Sequence, residues 1–195
     1  MDIEGSIVKQ SLNKAMISFG KLVYPAFIQQ EEKEVFCVFF PTLFPESGWE
    51  YPLSRGKTKR DAKKNAQKDL AYSLAGFLYD NEELPKPIPI DDNKLSSEME
   101  LIDIETSFEP YAEEIQEHLK GRHWHIGYYV EENDEYIEAI GFKNDNGTWD
   151  IFYEDYSEEE DHPDHTLLFT VKLHSEAEEK FKQFVEEVIL KRRGH

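Results

Sequence analysis

The chain has 195 residues, of which 39% are hydrophobic and 13% aromatic, and its formal net charge is −19. This much apolar material is enough for a packed core, which argues against a wholly disordered chain. A strong negative field repels nucleic acids and membrane surfaces and speeds encounter with basic partners, so the charge argues against DNA as a ligand. Residues 1–90 carry 12 basic and 12 acidic residues, while residues 91–195 carry 10 basic and 29 acidic ones. We therefore expect the two halves of the chain, which differ in charge, to differ in function as well.

Three further features predict a cytoplasmic protein that does not enter membranes. The longest apolar runs, such as residues 35–40, are far shorter than the roughly 18 residues of a membrane-spanning helix. The N-terminus has no basic start followed by an apolar stretch, so we predict no secretory signal. Cys37 is the single cysteine and cannot form an internal disulfide.

The first half of the chain reads as β-strands followed by one long helix. The first 20 residues show partly helical spacing and predict a short helix, and residues 21–30 and 35–40 predict a hairpin. Residues 49–54 predict a third strand. Thr58 with Asp61 is a capping-box variant that starts a helix ending near Asp80. Its predicted apolar stripe comprises Ala62, Ala66, Leu70, Leu74, Phe77 and Leu78.

The chain after this helix predicts one extended segment and a second group of strands. Three prolines hold residues 85–89 extended, and a further strand is predicted at residues 99–105. Turn residues at hairpin spacing then separate three aromatic-rich segments, which predicts a β-meander. These segments are residues 124–130, 136–142 and 148–154. We expect an acidic loop at 157–164, a fourth strand at 167–173, and a last helix capped by Ser175 with Glu178.

Several short motifs occur together in one order and at one set of spacings. They are Tyr24-Pro25-Ala26, Phe39-Phe40-Pro41-Thr42-Leu43, Gly56-Lys57-Thr58 before Asp61-Ala62, Glu83-Leu84-Pro85-Lys86-Pro87, and Leu101-Ile102-Asp103-Ile104-Glu105 closing with Tyr111. The ordered set resembles the HicB-like antitoxin domain over about residues 21–111. The resemblance implies a β-β-β-α-β fold, a partial ribonuclease-H-like layer of sheet and helix without catalytic residues. It also implies that such a domain occludes a small basic ribonuclease of the HicA type.

The chain departs from that family at several points. The usual DNA-binding module is replaced by the acidic region, which argues against operator binding. Thr42 stands where an acidic residue is common. Lys59 and Arg60 also occupy positions that are commonly acidic, and this change weakens the expectation that the long helix neutralises a basic toxin. The sequence leaves open whether the protein forms a homodimer, because the module through which such domains often dimerise is missing.

The predicted protein is therefore α+β with two domains. Residues 1–111 form a HicB-like domain with an N-terminal extension, and residues 112–195 form an acidic domain with an antiparallel four-stranded meander and a C-terminal helix. Nucleophile-elbow and phosphate-loop motifs are absent from the sequence, so we predict no enzyme and no cofactor. We expect an antitoxin-like or immunity-like protein that binds a basic, toxin-like protein.

Two acidic groups are the candidate partner-binding residues, because an array of carboxylates can plug a basic active site and accelerate association. Simple solubility is the alternative, but 29 acidic against 10 basic residues over residues 91–195 exceed what solubility requires. The candidates are Glu131, Glu132, Asp134, Glu135, Glu154, Asp155, Glu158, Glu159, Glu160 and Asp161.

A cluster of basic residues at the start of the long helix is a candidate anion-binding or RNA-binding site. Cations there oppose the helix macrodipole, so something must compensate for them. We favour a solvated face, or pairing with the acidic half of the same chain or of a neighbour, over RNA. The candidates are Arg55, Lys57, Lys59, Arg60, Lys63 and Lys64.

Four histidines raise the question of a metal site. His123 and His125 alternate on a predicted strand and share one face, whereas His162 and His165 lie among acidic residues. Their spacing matches no established zinc pattern. We therefore expect an acidic region that contains histidines and no metal cofactor.

Overall fold

A computed structural model of the chain describes residues 16, 18–45, 47–130, 134–155 and 164–191. These residues fall into two compact units, and the chain passes from one to the other between Glu117 and His118. Each unit contains one four-stranded sheet, and all strand pairs are antiparallel. The predicted α+β class is confirmed. Most of the predicted N-terminal helix and of the acidic loop lies outside the described residues.

The first unit has the predicted β-β-β-α-β order. Its elements are β1 (Leu22–Glu32), β2 (Val35–Phe39), β3 (Ser54–Gly56), α1 (Lys59–Tyr79) and β4 (Met99–Thr106). Across the sheet the strands run β3-β2-β1-β4, so β4 is an edge strand although it comes last in the chain. The extended segment after α1 is anchored by Tyr24, whose hydroxyl donates to the Pro85 carbonyl at 2.6 Å, and by the burial of Ile90 against Phe27 and Phe39.

Helix α1 begins and ends where the sequence predicts. The Thr58 hydroxyl accepts a hydrogen bond from the Asp61 backbone N–H at 3.1 Å, and Asp80 caps the C-terminus. The predicted stripe is buried as far as Leu74, but Phe77 and Leu78 are only half-buried. In the last turns Ala71, Ala75 and Gly76 are buried as well, so the buried face of the helix is wider than the predicted stripe.

The third strand was predicted too early in the chain. Residues 49–53 form turns and bends, and the ladder begins at Ser54, with Arg55 opposite Cys37. Trp49 does not join the ladder because its ring stacks on Phe27, with centroids 5.5 Å apart. The aromatic ring of Trp49 therefore indicates packing onto the sheet, and Trp49 is not a residue of the strand.

The second unit is a meander in chain order, as predicted. Its strands are β5 (His123–Val130), β6 (Glu135–Lys143), β7 (Trp149–Asp155) and β8 (Asp164–Val171). The C-terminal helix α3 (His174–Phe184) continues as a π-helical stretch, Val185–Leu190. A helix that the sequence did not predict, α2 (Ala112–Leu119), lies where the chain passes between the units.

The predicted cap of the last helix is wrong. The N-cap residue is Leu173, which makes no side-chain cap hydrogen bond. Because α3 begins at His174, Ser175 falls inside its first turn. The Glu176 carboxylate accepts a hydrogen bond from the Lys172 backbone N–H at 3.4 Å instead. Among the described residues, no helix is long and apolar enough to cross a bilayer.

Candidate functional site

The two faces of the second sheet differ, because successive side chains on a strand point to opposite sides. One face packs on α3: the Trp124 ring lies 4.9 Å from His174, and the Tyr153 ring lies 5.8 Å from Phe184. We call the opposite side the outer face. It carries four large side chains that are 45–62% exposed, namely Tyr129, Tyr136, Phe142 and Leu167.

Strand register places these exposed side chains on one face of the sheet, in two groups. Tyr129 lies directly opposite Tyr136 across β5 and β6, and Phe152 lies opposite Leu167 across β7 and β8. Phe142, at the other end of β6 from Tyr136, contacts Phe152 edge to face, with ring centroids 6.1 Å apart. The outer face therefore carries two exposed groups, the pair Tyr129 and Tyr136 and the group Phe142, Phe152 and Leu167, with Glu138 between them on β6.

Both tyrosines of the outer face are held in place. The Tyr129 hydroxyl donates a hydrogen bond to the Asp134 carboxylate, and this bond raises the pKa of Tyr129. The Tyr136 ring lies against Gly127, where a Cβ would overlap it. Gly127 thus lets an aromatic ring lie flat on the sheet. Fixed rings lose little conformational freedom when a partner covers them.

Acidic side chains border this surface. Asp134 contacts Tyr129, and Glu138 lies 2.6 Å from His125 Nδ1. Asp150 lies opposite Phe142 in the strand register and accepts a hydrogen bond from the Thr170 hydroxyl at 2.5 Å. A partner that covers the outer face would meet carboxylates both at its edge and among the aromatic residues.

Four of the ten predicted partner-binding residues belong to the described part of the chain. Asp134 borders the outer face, and Glu135, Glu154 and Asp155 belong to strands β6 and β7. Since alternate connections of a meander lie at the same end of the sheet, the strand ends that flank both predicted acidic groups lie at one end. The other candidates, Glu131, Glu132, Glu158, Glu159, Glu160 and Asp161, lie outside the described residues.

The change in charge along the chain does not coincide with the division between the units. Residues 91–117 carry ten acidic residues and one lysine, and they fold with the first unit. Residues 1–117 therefore carry 13 basic and 22 acidic residues, and residues 118–195 carry 9 and 19. The net charges are −9 and −10, so both parts of the chain are acidic.

Acidic residues from the stretch 91–117 contact lysines of the first unit. Glu100 of β4 pairs with Lys59 and, at 3.7 Å, with Lys63 of α1. The hydrogen bond from Lys59 lowers the pKa of Glu100. The sequence allows pairing with the acidic half of the same chain as an alternative to RNA. Such pairing is present at Lys59 and Lys63. It offsets the cost of placing cations at a helix N-terminus.

The same arrangement recurs further along α1. Lys68 pairs with Glu114 of α2, which also accepts a hydrogen bond from the Tyr72 hydroxyl at 3.0 Å. These two bonds lower the pKa of Glu114. The other candidate cations are exposed, and among the described residues no ionic partner contacts three of them: Lys57, Arg60 and Lys64. The candidate anion site is therefore neutralised along one side only.

Cys37 is fully buried, and its thiol donates a hydrogen bond to the Glu31 carboxylate at 3.1 Å. Burial, and then the hydrogen bond to Glu31, raises the pKa of Cys37 to about 11 from an ordinary value of 9.0. At pH 8 we expect iodoacetamide to alkylate Cys37 about 100-fold more slowly in the folded protein than in urea, because only the thiolate reacts. Mass spectrometry of timed samples measures both rates.

The raised pKa of Cys37 also determines the direction in which stability changes with pH. The unfolded chain releases the thiol proton at a lower pH than the folded protein, so Cys37 favours unfolding as the pH rises from about 9 to about 11. We expect Cys37→Ser to remove this part of the pH dependence. Equal alkylation rates with and without urea would contradict a buried thiol.

Comparisons with known proteins add one likeness. No family model matches the chain, and no curated protein matches it. One similar solved structure is a toxin–antitoxin complex from Streptococcus pneumoniae: the matched chain is 19% identical, and the match covers 47% of this chain and 72% of that one, with a TM-score of 0.37. A likeness at this level carries no argument about what this protein binds.

Proposed function

We propose that the protein is a non-enzymatic antitoxin-like or immunity-like binder that neutralises a basic protein, and that the outer face is its contact surface. The carrying observation is the set of four large side chains, 45–62% exposed, on one face of the second sheet. Contiguous exposed apolar patches mark interaction sites. Tyrosine, moreover, is enriched among the residues that dominate binding energy, and two tyrosines are held here in fixed positions.

The charge of the surface identifies the chemistry of the partner. Residues 118–195 carry ten more acidic than basic residues, and Asp134, Glu138 and Asp150 border the aromatic residues. Complementary charge speeds association and excludes acidic competitors such as nucleic acids. We therefore propose a basic protein as the occupant of the outer face.

The kind of partner is proposed from the resemblance of the first unit. Its motifs resemble a HicB-like domain, and its β-β-β-α-β order is the order that this resemblance implies. A small basic ribonuclease of the HicA type, met in the cytoplasm, fits both the resemblance and the charge. In this proposal the chain neutralises its partner by occlusion and contributes no catalytic residue.

The test uses a small basic protein encoded beside this gene. We expect Tyr129→Ala to weaken its binding at least tenfold by titration calorimetry, because the ring is 52% exposed and tyrosine is enriched among the residues that dominate binding energy. Tyr129→Phe keeps the ring and loses only the bond to Asp134, so it should weaken binding less. The matched control is Tyr51→Ala on the first unit, since Tyr51 is 69% exposed and lies outside the outer face.

Salt separates the electrostatic part of the proposal from the aromatic part. Raising NaCl from 0.05 to 0.5 M shortens the screening length to roughly 4 Å, so affinity should fall if carboxylates attract the partner. An affinity that does not change with salt would exclude acidic attraction. A loss of affinity in Tyr51→Ala with none in Tyr129→Ala would place the contact elsewhere.

A further inference from the structure

Two histidines of the outer face direct ring nitrogens at each other. His123 and His125 are two residues apart on β5, so both side chains lie on the same side of the sheet. Their Nε2 atoms are 2.8 Å apart, and their ring centroids are 4.7 Å apart. Both side chains are exposed, so solutes can reach them from outside.

The other nitrogen of each ring faces an acceptor. His123 Nδ1 lies 3.1 Å from the Gly121 carbonyl oxygen, and His125 Nδ1 lies 2.6 Å from Glu138 Oε1. A carbonyl and a carboxylate only accept, so each ring donates through Nδ1 and, when neutral, carries a lone pair on Nε2. Two lone pairs at 2.8 Å repel each other unless a cation lies between them.

We propose that His123 and His125 bind a divalent transition-metal ion, of the Zn²⁺, Ni²⁺ or Cu²⁺ class, through their Nε2 atoms. Imidazole is a favourable ligand for these ions. Histidine ligands usually donate their second N–H to a carboxylate or a backbone carbonyl, which orients the ring and raises its basicity. Glu138 and Gly121 provide one of each. The negative net charge of this part of the chain also favours a cation.

The distance between the two nitrogen atoms determines what kind of metal site they can form. Two nitrogens bound at 2.0–2.1 Å to one tetrahedral ion are about 3.4 Å apart, so the rings need to separate by roughly 0.5 Å, which exposed side chains can do. Among the described residues, no group of three or more histidine, cysteine or acidic side chains is arranged to hold a metal. The proposed site therefore has two protein ligands, and its remaining positions are open to water.

The test uses the untagged full chain after removal of metals with a chelator. We expect titration calorimetry with NiCl₂ and ZnCl₂ to show one ion per chain, and Cu²⁺ to give an electron paramagnetic resonance spectrum with nitrogen ligands. His123→Ala and His125→Ala should each weaken binding at least tenfold. Glu138→Gln leaves both ligands in place and should weaken binding about tenfold, as the loss of an orienting carboxylate does.

The control variant is His118→Ala, since His118 is exposed and lies outside β5; its affinity for the ion should not change. Circular dichroism checks that each variant folds. Undiminished binding in a His123→Ala/His125→Ala double variant would overturn the proposal, because the ion would then sit elsewhere. Absence of binding at millimolar metal would also overturn it and leave a shared proton as the cation between the rings.

Discussion

Replacing Trp149 with alanine is expected to lower the free energy of unfolding by about 3–5 kcal/mol. Trp149 is fully buried, and its ring stacks on Trp124 with centroids 3.7 Å apart. Alanine would remove that contact and leave a cavity between the sheet and its helix. Since small domains are stable by only about 5–15 kcal/mol, the second unit should lose much of its stability.

Urea unfolding followed by circular dichroism measures the loss, and hydrogen exchange of the β5–β8 amides assigns it to the second unit. Tyr51→Ala is the control, because exposed substitutions usually change stability by less than about 0.5 kcal/mol. A loss under about 1 kcal/mol for Trp149→Ala would show that the stacked pair does not hold the core together.

Gly56→Ala is expected to destabilise the first unit by about 2–3 kcal/mol. A Cβ at residue 56 would overlap the backbone nitrogen of Ala62 and lie 2.7 Å from the Asp61 carbonyl carbon. These atoms belong to the first turn of α1 and cannot move without the helix. The contact holds α1 against β3, as does the Asn65 side chain, which donates to the Arg55 carbonyl at 2.8 Å.

Thermal and urea unfolding measure the effect, with Gly20→Ala as the comparison. Gly20 has a φ of +59° and no atom within 4 Å of an added Cβ, so alanine there is strained only by the backbone and should cost about 1 kcal/mol. If Gly56→Ala costs no more than Gly20→Ala, the close approach of strand and helix is not a constraint on the sequence.

Local patterns predicted most of the elements. Segments rich in β-forming and aromatic residues, separated by turn residues, predicted the β1–β2 hairpin and the strands of the second unit, and Thr58 marked the start of α1. The misses have tertiary causes. Trp49 looked like a strand residue, but its ring stacks on Phe27 from outside the ladder.

The candidate surface was only partly predictable. Composition indicated acidic residues as partner-binding groups, and Asp134 does border the outer face. Strand periodicity indicated that the side of the sheet with Trp124 belongs to the core, but it did not show how exposed the aromatic residues on the other side, such as Tyr129, would be. Helix α3 covers the Trp124 side, so Tyr129 is left exposed.

The sequence by itself determined that the protein is acidic, α+β and built from antiparallel strands, because charge counts and residue periodicity are local properties. Only the tertiary structure decided which charged side chains pair within the chain and which remain available to a partner. Lys59 and Glu100 are 41 residues apart, and Lys68 and Glu114 are 46 apart, yet each pair is in contact. Strand pairing and helix packing bring such residues together, so the acidic stretch after residue 90 compensates the basic helix of its own unit.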